Sequence, residues 1–322
     1  GIQIAGAGSQ YNVVIGNYIG TNASGKLALG TRTGVTLSDG ADNNIVGGST
    51  PEERNLISGN DWFGVLIWSS IVGTLTHHNT VSGNYIGTSA IGEDAIPNLT
   101  GGIRLSAVDG VSIGQTTGNL ISGNDSTGIV VVNGSTNSTI TKNTIGLDVD
   151  GDTALPNTAY GINAVESTDF VISSNTISGN TGSGIRMATG VSGFTVHSNR
   201  IGLGKISNID MGNSNHGIYI DNSNDNLIGN ASTSSGNTIA YNGGDGIFIA
   251  NTNSPAYNSY GNTIIGNKIY SNVGLGIDLA PGGATPNDTD DADDGPNYLQ
   301  NYITFTAKDT DTGVQITGEL NT

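Results

Sequence analysis

The sequence predicts an all-β protein: a single-stranded parallel β-helix of about nine coils, three strands per coil, with a C-terminal β-hairpin extension. Three observations carry this. The hexapeptide NLISGN stands at 55–60 and again at 119–124, and NTISGN follows at 175–180. Ten phrases in which Gly precedes alternating apolar residues recur from GIQI at 1 to GIDL at 276, bounding nine units of 23 to 38 residues. Apolar residues alternate with period two throughout, and Gly arrives too often for any helical stripe to form.

The Gly phrases supply the first strand of each coil. In GIRL at 102, GIVV at 128, GIRM at 184, GIYI at 217 and GIFI at 246, the first and third apolar residues point inward and the residue between them points out. The second strand carries Asn-x-Ile, at Asn17, Asn55, Asn84, Asn119, Asn143, Asn175, Asn199, Asn237 and Asn267. These amides are expected to align at one corner as a hydrogen-bonded ladder. A third strand lies between, in VSIG at 111, STITKN at 138 and NTIIGN at 262. At about 4.8 Å per coil, nine coils make a rod roughly 43 Å long.

The corner from the Asn to the next Gly phrase comes in two lengths. It is nine residues from 55, 119, 175, 237 and 267, and 17 or 18 from 17, 84, 143 and 199. The kinds alternate until the last two units, both short. Residues 21–33, 88–100, 147–160 and 203–216 are therefore expected to project from one side on every second coil, about 10 Å apart.

Composition excludes several classes. The net charge is −17 with only 10 Lys+Arg, which argues against nucleic acid and anionic membrane partners. There is no Cys, so disulfides, thiolate metal sites and Cys nucleophiles are excluded. No stretch reaches the ~18 apolar residues of a membrane span. The chain opens inside a repeat, which leads us to expect a piece of a longer protein.

NLISGNDWFGVLI, NYIGTSAIGEDAIPNLTGGIRL and NTIGLDVDGDTALPNTAYGINA resemble the right-handed parallel β-helix repeat proteins of bacterial cell surfaces, within the pectate-lyase-like superfamily. The resemblance covers residues 1 to about 280. It implies a right-handed coil, secretion and long multidomain parents, but no single activity. Lyases, hydrolases and epimerases of polysaccharides share the fold with adhesins that catalyse nothing.

The outward column of the Gly phrases reads Gln3, Thr36, Leu66, Arg104, Val130, Asn163, Arg186, Tyr219, Phe248, Asp278. A hydrolase needs two carboxylates about 5–10 Å apart, and this column has one, at its far end. Arg104 and Arg186 stand three coils apart, roughly 14 Å, too far to share one sugar bond. No tight Asp-Asp or Asp-His group recurs on this face, and no residue is assigned a catalytic or cofactor-binding role. Tyr219, Phe248 and Trp68 are candidates for an aromatic strip. The adjacent pair His77 and His78 reads as solvated surface, with metal binding and acid–base catalysis as alternatives; His197 lies in FTVHSN and His216 precedes GIYI.

Two acidic segments raise calcium. In LDVDGDTALPN, Asp148, Asp150 and Asp152 alternate as in a calcium loop, but the Gly is misplaced and the same turn recurs elsewhere without the acids. NDTDDADDGPN is denser. Asp288, Asp290, Asp291, Asp293 and Asp294 form a candidate calcium site, with a solvated linker as the alternative. The expected organisation is a β-helix over 1–280, an acidic linker or calcium loop over 281–300, and a hairpin over 301–322 that caps the coil or opens a further β domain.

The leading expectation is a non-catalytic extracellular or cell-surface module, structural or adhesive, of a bacterial surface, matrix or filament protein. Its expected partners are neighbouring domains, or copies of itself stacked end to end. A polysaccharide lyase, hydrolase or epimerase, or a carbohydrate-binding module using the long loops, stands as the alternative.

Overall fold

In the computed structural model, which describes residues 1–70, 74–232, 234–252, 258–291, 294–310 and 313–319, the repeats wind into one solenoid. The Gly-phrase strands form a ten-stranded sheet from Ile2–Ala5 to Ile277–Leu279, in chain order. The Asn-x-Ile strands form a nine-stranded sheet from Tyr18–Ile19 to Lys268–Tyr270. A third sheet of nine runs from Val13–Val14 to Thr263–Ile265. Every pairing within these three sheets is parallel, as the repeat pattern requires. The antiparallel hairpin of Thr304–Thr310 and Gly313–Glu319 follows the rod.

The core is a stack of β-branched and aliphatic side chains. Ile103, Ile129, Ile162, Ile185, Ile218 and Ile247 form one inward column without exposed surface, and Leu105, Val131, Ala164, Met187, Ile220 and Ile249 form another. The inward assignment of the Gly phrases holds throughout. Each fully buried aliphatic side chain contributes roughly 1.5–3 kcal/mol.

The corners are held by asparagine ladders. In the expected one, each Asn amide donates to the carboxamide oxygen of the next coil, at 2.9 Å from Asn119 to Asn143, 3.0 Å from Asn143 to Asn175 and 3.0 Å from Asn175 to Asn199. That oxygen also accepts the preceding Asn's own N–H, as in Asn119 N to Asn143 Oδ1 at 3.0 Å. A second ladder runs along the next corner through Asn60, Asn98, Asn124, Asn157, Asn180, Asn213, Asn242 and Asn272. Both Asn residues of NLISGN are thus rungs, one in each ladder. Its Ser has a role too. The hydroxyls of Ser58, Ser122 and Ser178 accept the N–H of Gly87, Gly146 and Gly202 on the following coil, each at 3.0 Å. At the third corner an Asn column runs through Asn12, Asn44 and Asn79 and resumes at Asn226 and Asn262. Between them Val111, Ser138, Phe170 and Phe194 take the position, and the two Phe rings stack inside at 5.1 Å.

The four long corners leave the same edge of the rod, as the register predicts. They are not separate teeth, however. Ala90 N donates to Gly25 O at 3.1 Å, Val149 N to Gly92 O at 3.0 Å and Lys205 N to Gly151 O at 2.8 Å. Each loop folds back on itself through one antiparallel bridge, Thr21 with Ala28, Thr88 with Ala95, Leu147 with Ala154 and Leu203 with Asp210. Its tip then reaches across the short corner of the intervening coil. The tips of loops on alternate coils thus join into one continuous pile.

Candidate functional site

On the outside of the Gly-phrase sheet, two columns of side chains lie side by side. One holds the middle residue of each phrase, in the register Arg104, Val130, Asn163, Arg186, Tyr219, Phe248, Asp278. The other holds the residue before each Gly. Backbone bonds from Gly161 N to Ser183 O, Gly184 N to His216 O and Gly217 N to Asp245 O align Tyr160, Ser183, His216 and Asp245 on successive coils. The two columns form a compact polar and aromatic grid over four coils.

Within the grid Arg186 donates from Nη1 to Asn163 Oδ1 at 3.0 Å and lies over the rings of Tyr160 and Tyr219 at 5.5 and 5.9 Å. The His216 ring stacks on Phe248 at 4.7 Å and 11°. His216 Nδ1 meets the Asp245 N–H at 3.1 Å and Asp245 Oδ2 at 3.1 Å. The neutral ring accepts from the first, and the protonated ring donates to the second. Burial pushes His216 below the ordinary imidazole value, against the opposing pull of Asp245 and, more weakly, Asp278. Burial raises Tyr219 above the ordinary phenol value, and the Asp221 carboxylate adds to this. Beside them the Ser183 hydroxyl is buried without a hydrogen-bond partner.

Two sequence expectations change here. An Asp-His pair does exist on this face. It was missed because both residues precede their Gly phrases, outside the column that was read; the signal was the recurring position before each Gly. His216 is half-buried, because Phe248 covers one side of its ring. Trp68 does not join Tyr219 and Phe248, which meet at 5.6 Å. It pairs in register with Ser38 and Ser106, at the opposite end of its phrase and several coils away. The distance between Arg104 and Arg186 stands as read. Asp278 is buried and accepts from Gly283 N at 2.9 Å through Oδ2. The other histidines lie apart from the grid, His77 near Asp109 at 3.4 Å and His78 near Asp42 at 3.3 Å.

The charges are distributed unusually. None of the ten Lys and Arg residues pairs with a carboxylate within 4.0 Å among the described residues, where the ion pairs are all of histidine. Arg32, Arg54, Arg104 and Arg186 instead lie over the rings of Trp62, Tyr85, Phe63, and Tyr160 with Tyr219. Such placement keeps a guanidinium in one plane while leaving its donors open.

The acidic turn at 147–157 is structural. Asp148 Oδ1 accepts from Gly151 N at 2.8 Å and from Asp152 N and Thr153 N at 3.3 Å. Asn22 does the same in the first loop, toward Lys26 N and Leu27 N. In the later segment, Asp288 and Asn301 exchange two bonds of 3.0 Å, and Asp294 accepts from the Tyr260 hydroxyl at 2.8 Å. Asp290 lies in a short 3-10 turn with φ 64°. Asp293 lies outside the described residues, as does the side chain of Asp291. Among the described residues no three of His, Cys, Asp and Glu converge on a point where a metal would sit.

Comparison with known proteins gives two family matches. Residues 95–202 match the family described as periplasmic copper-binding protein (NosD), and residues 156–290 match the right handed beta helix region. Single and double variants of a periplasmic alginate epimerase, AlgG, each superimpose with a TM-score of 0.50 and 16% identity, over 73% of this chain and 47% of theirs. The A-module of a mannuronan C-5 epimerase from Azotobacter vinelandii gives a TM-score of 0.45 and 15% identity, over 86% of this chain and 68% of that one. The chain thus spans about half the length of the periplasmic epimerase. No curated protein matches the sequence. Copper does not fit the matched segment. Its only soft or imidazole donors are Met187, wholly buried in the core, and His197, whose Nδ1 lies 3.1 Å from Ser198 Oγ.

Proposed function

We propose, from the premise that the chain is a right-handed parallel β-helix protein, that it is a non-catalytic adhesive module acting outside the cytoplasm, and that its Gly-phrase face holds an acidic polysaccharide. The observation that carries this is the set of guanidinium groups left without carboxylate partners among the described residues of a protein of net charge −17. Arg104 and Arg186 stand three strands apart on one flat face, with Asn163 between them and aromatic rings beyond. A uronate chain lying along the rod presents carboxylates to the guanidinium groups and sugar faces to Tyr219 and Phe248. The alginate named for the structural neighbours supports the choice of an acidic probe.

Affinity electrophoresis against alginate, polygalacturonate and a neutral glucan tests this. Retardation by an acidic polymer is expected, weakened at least tenfold in Arg186→Gln. Equal retardation by the neutral glucan, or none by any polymer, overturns the reading.

A second reading, proton transfer at a uronate, is favoured by one observation. His216 is held by Asp245 beside Tyr219, whose ring Arg186 overlies. Release of unsaturated ends, or exchange of a uronate proton with solvent, abolished in His216→Gln, would replace the adhesive reading with a catalytic one.

A further inference from the structure

The Asn-x-Ile sheet carries a second feature, away from the Gly-phrase face. A cavity of about 280 Å³ is lined by Arg54, Tyr85, Gly118, Lys142, Val149 and Lys205, among others. None of its lining residues is acidic. Three of the chain's ten cations meet there, though the protein carries 27 carboxylates.

The repeat explains how they come together. Arg54, Gly83, Gly118 and Lys142 are successive occupants of one corner position, each preceding a ladder residue, Asn55, Asn84, Asn119 and Asn143. The two glycines have backbone reasons to be there. Gly83 has φ +70°, and a Cβ on Gly118 would come within 1.8 Å of Lys142 O. Their consequence is a bare corner with a cation above and below, about three strand spacings or ~14 Å apart along the rod. The opposite wall is the loop pile, where Val149 and Lys205 sit at the tips joined by the bonds at Gly92 and Gly151. The outward ring of Tyr85 and the side chains of Leu120 and Thr144 make the floor.

The cations have no carboxylate partner among the described residues. The guanidinium of Arg54 lies on the Tyr85 ring at 4.1 Å, and its Nε is buried without a hydrogen-bond partner. No side-chain hydrogen bond engages its terminal nitrogens among the described residues, so those donors are open to an oxyanion. Lys142 and Lys205 are exposed, with no carboxylate within 4.0 Å among the described residues. A concave site walled on both sides strengthens attraction to an anion. Its volume is just below the range of about 300–1,000 Å³ typical for drug-sized ligands, which suits one or two charged sugar units.

We propose that this groove binds the anionic groups of an acidic saccharide, carboxylate or sulfate, clamped by Arg54, Lys142 and Lys205 with a sugar face against the Tyr85 side of the floor. The site is independent of the reading of the Gly-phrase face, since the two share no residue.

Calorimetry on the full chain tests it with four probes: oligogalacturonate, sulfated dextran oligomer, maltohexaose and sodium sulfate. At least one of the two charged oligomers is expected to bind, and maltohexaose is not. Arg54→Gln and Lys205→Gln should each weaken the charged oligomer at least tenfold. Lys268→Gln, at the end of the same sheet, and Arg186→Gln, on the other face, should leave this binding event in place. The oligomer that binds identifies the anion as carboxylate or sulfate. Lys142→Gln, on an exposed side chain, retains the test if Arg54→Gln lowers the melting temperature. Absence of binding overturns the proposal. So does equal weakening by Lys268→Gln, or binding of sodium sulfate as tightly as the oligomers, which would mean an adventitious ion only.

Discussion

The ring of His216 lies flat on that of Phe248, 4.7 Å between centroids and 11° from parallel, while its Nδ1 faces Asp245 on the next coil. The stack removes water from the imidazole, and this outweighs the neighbouring carboxylate in setting its protonation. The folded-state value lies below the ordinary imidazole value of 6.5, so near and below that pH the unfolded chain binds the proton more readily. The neutral ring's contribution to stability is fully present above 6.5 and is lost as pH falls through the folded-state value. His216→Gln is expected to reduce the drop in melting temperature between pH 7.5 and 5.5. An unchanged drop would mean that the folded ring takes up its proton as readily as the unfolded one.

The ladders predict a gradient of cost. Asn119→Ala and Asn175→Ala should each destabilise by about 1–2 kcal/mol, because each leaves neighbouring buried groups unpaired. Asn124→Ala, in the second ladder, should cost as much. Asn272→Ala, a terminal rung of the second ladder, should cost less, because its amide serves only one neighbouring Asn. Chemical denaturation of the four variants measures this. Equal midpoints for interior and terminal rungs would remove cooperativity from the ladders.

Gly92 sits at a loop tip with φ +78°, and an added Cβ would lie 2.9 Å from that of Val149. Gly92→Val is expected to unseat the loop of residues 147–160 while the coils stay folded. Limited proteolysis should then cut within 88–100 or 147–160. Resistance equal to the parent would show that the pile tolerates a side chain at its joints.

Calcium on the acidic segment is a proposal, and there Asp294 Oδ1 accepts from the Tyr260 hydroxyl. If Asp288, Asp290, Asp291, Asp293 and Asp294 hold the ion, millimolar calcium should protect residues 287–301 from protease and chelation should reverse this. Cleavage indifferent to both assigns the acids to solvent.

The hairpin exposes Phe305, Val314 and Ile316 at 70, 61 and 68% of their surfaces. We propose that these side chains meet another copy of the chain or a neighbouring domain, since apolar groups grouped on an exposed β surface favour association. Sedimentation should show concentration-dependent growth that Phe305→Ser with Ile316→Ser reduces. A monomer at every concentration in both forms would remove self-association.

Much of this architecture was legible because a solenoid writes each structural position once per coil. The Gly phrases gave inward and outward residues correctly from Ile103 to Ile249, since period two leaves little choice. The Asn-x-Ile ladder was visible because its rung begins each strand. The second ladder was not, although it is as continuous. Its members follow Gly in SGN, Pro in the long corners at Asn98 and Asn157, and Gly at Asn213, so no fixed phrase marks them. The grid was half legible for a similar reason. Its second column belongs to corner residues that alternation does not reach, and His216 meets Asp245 across 29 residues of chain. The basic groove needs still more, because Lys205 arrives from a loop two coils beyond the strands it covers.

The bonds among loop tips on alternate coils constrain how such a rod can change length. Removing one coil between Gly25 and Lys205 would place two long corners on adjacent layers, or two short ones under a gap. Either way Gly25 O, Gly92 O or Gly151 O loses its donor. Through this region the chain can grow or shrink only in coil pairs, roughly sixty residues at a time by the repeat lengths. Beyond the fourth loop no further tip has to be met, and single coils can be gained or lost there. Lineages of this sequence should therefore differ by even steps along most of the rod and by odd steps only near its C-terminal end.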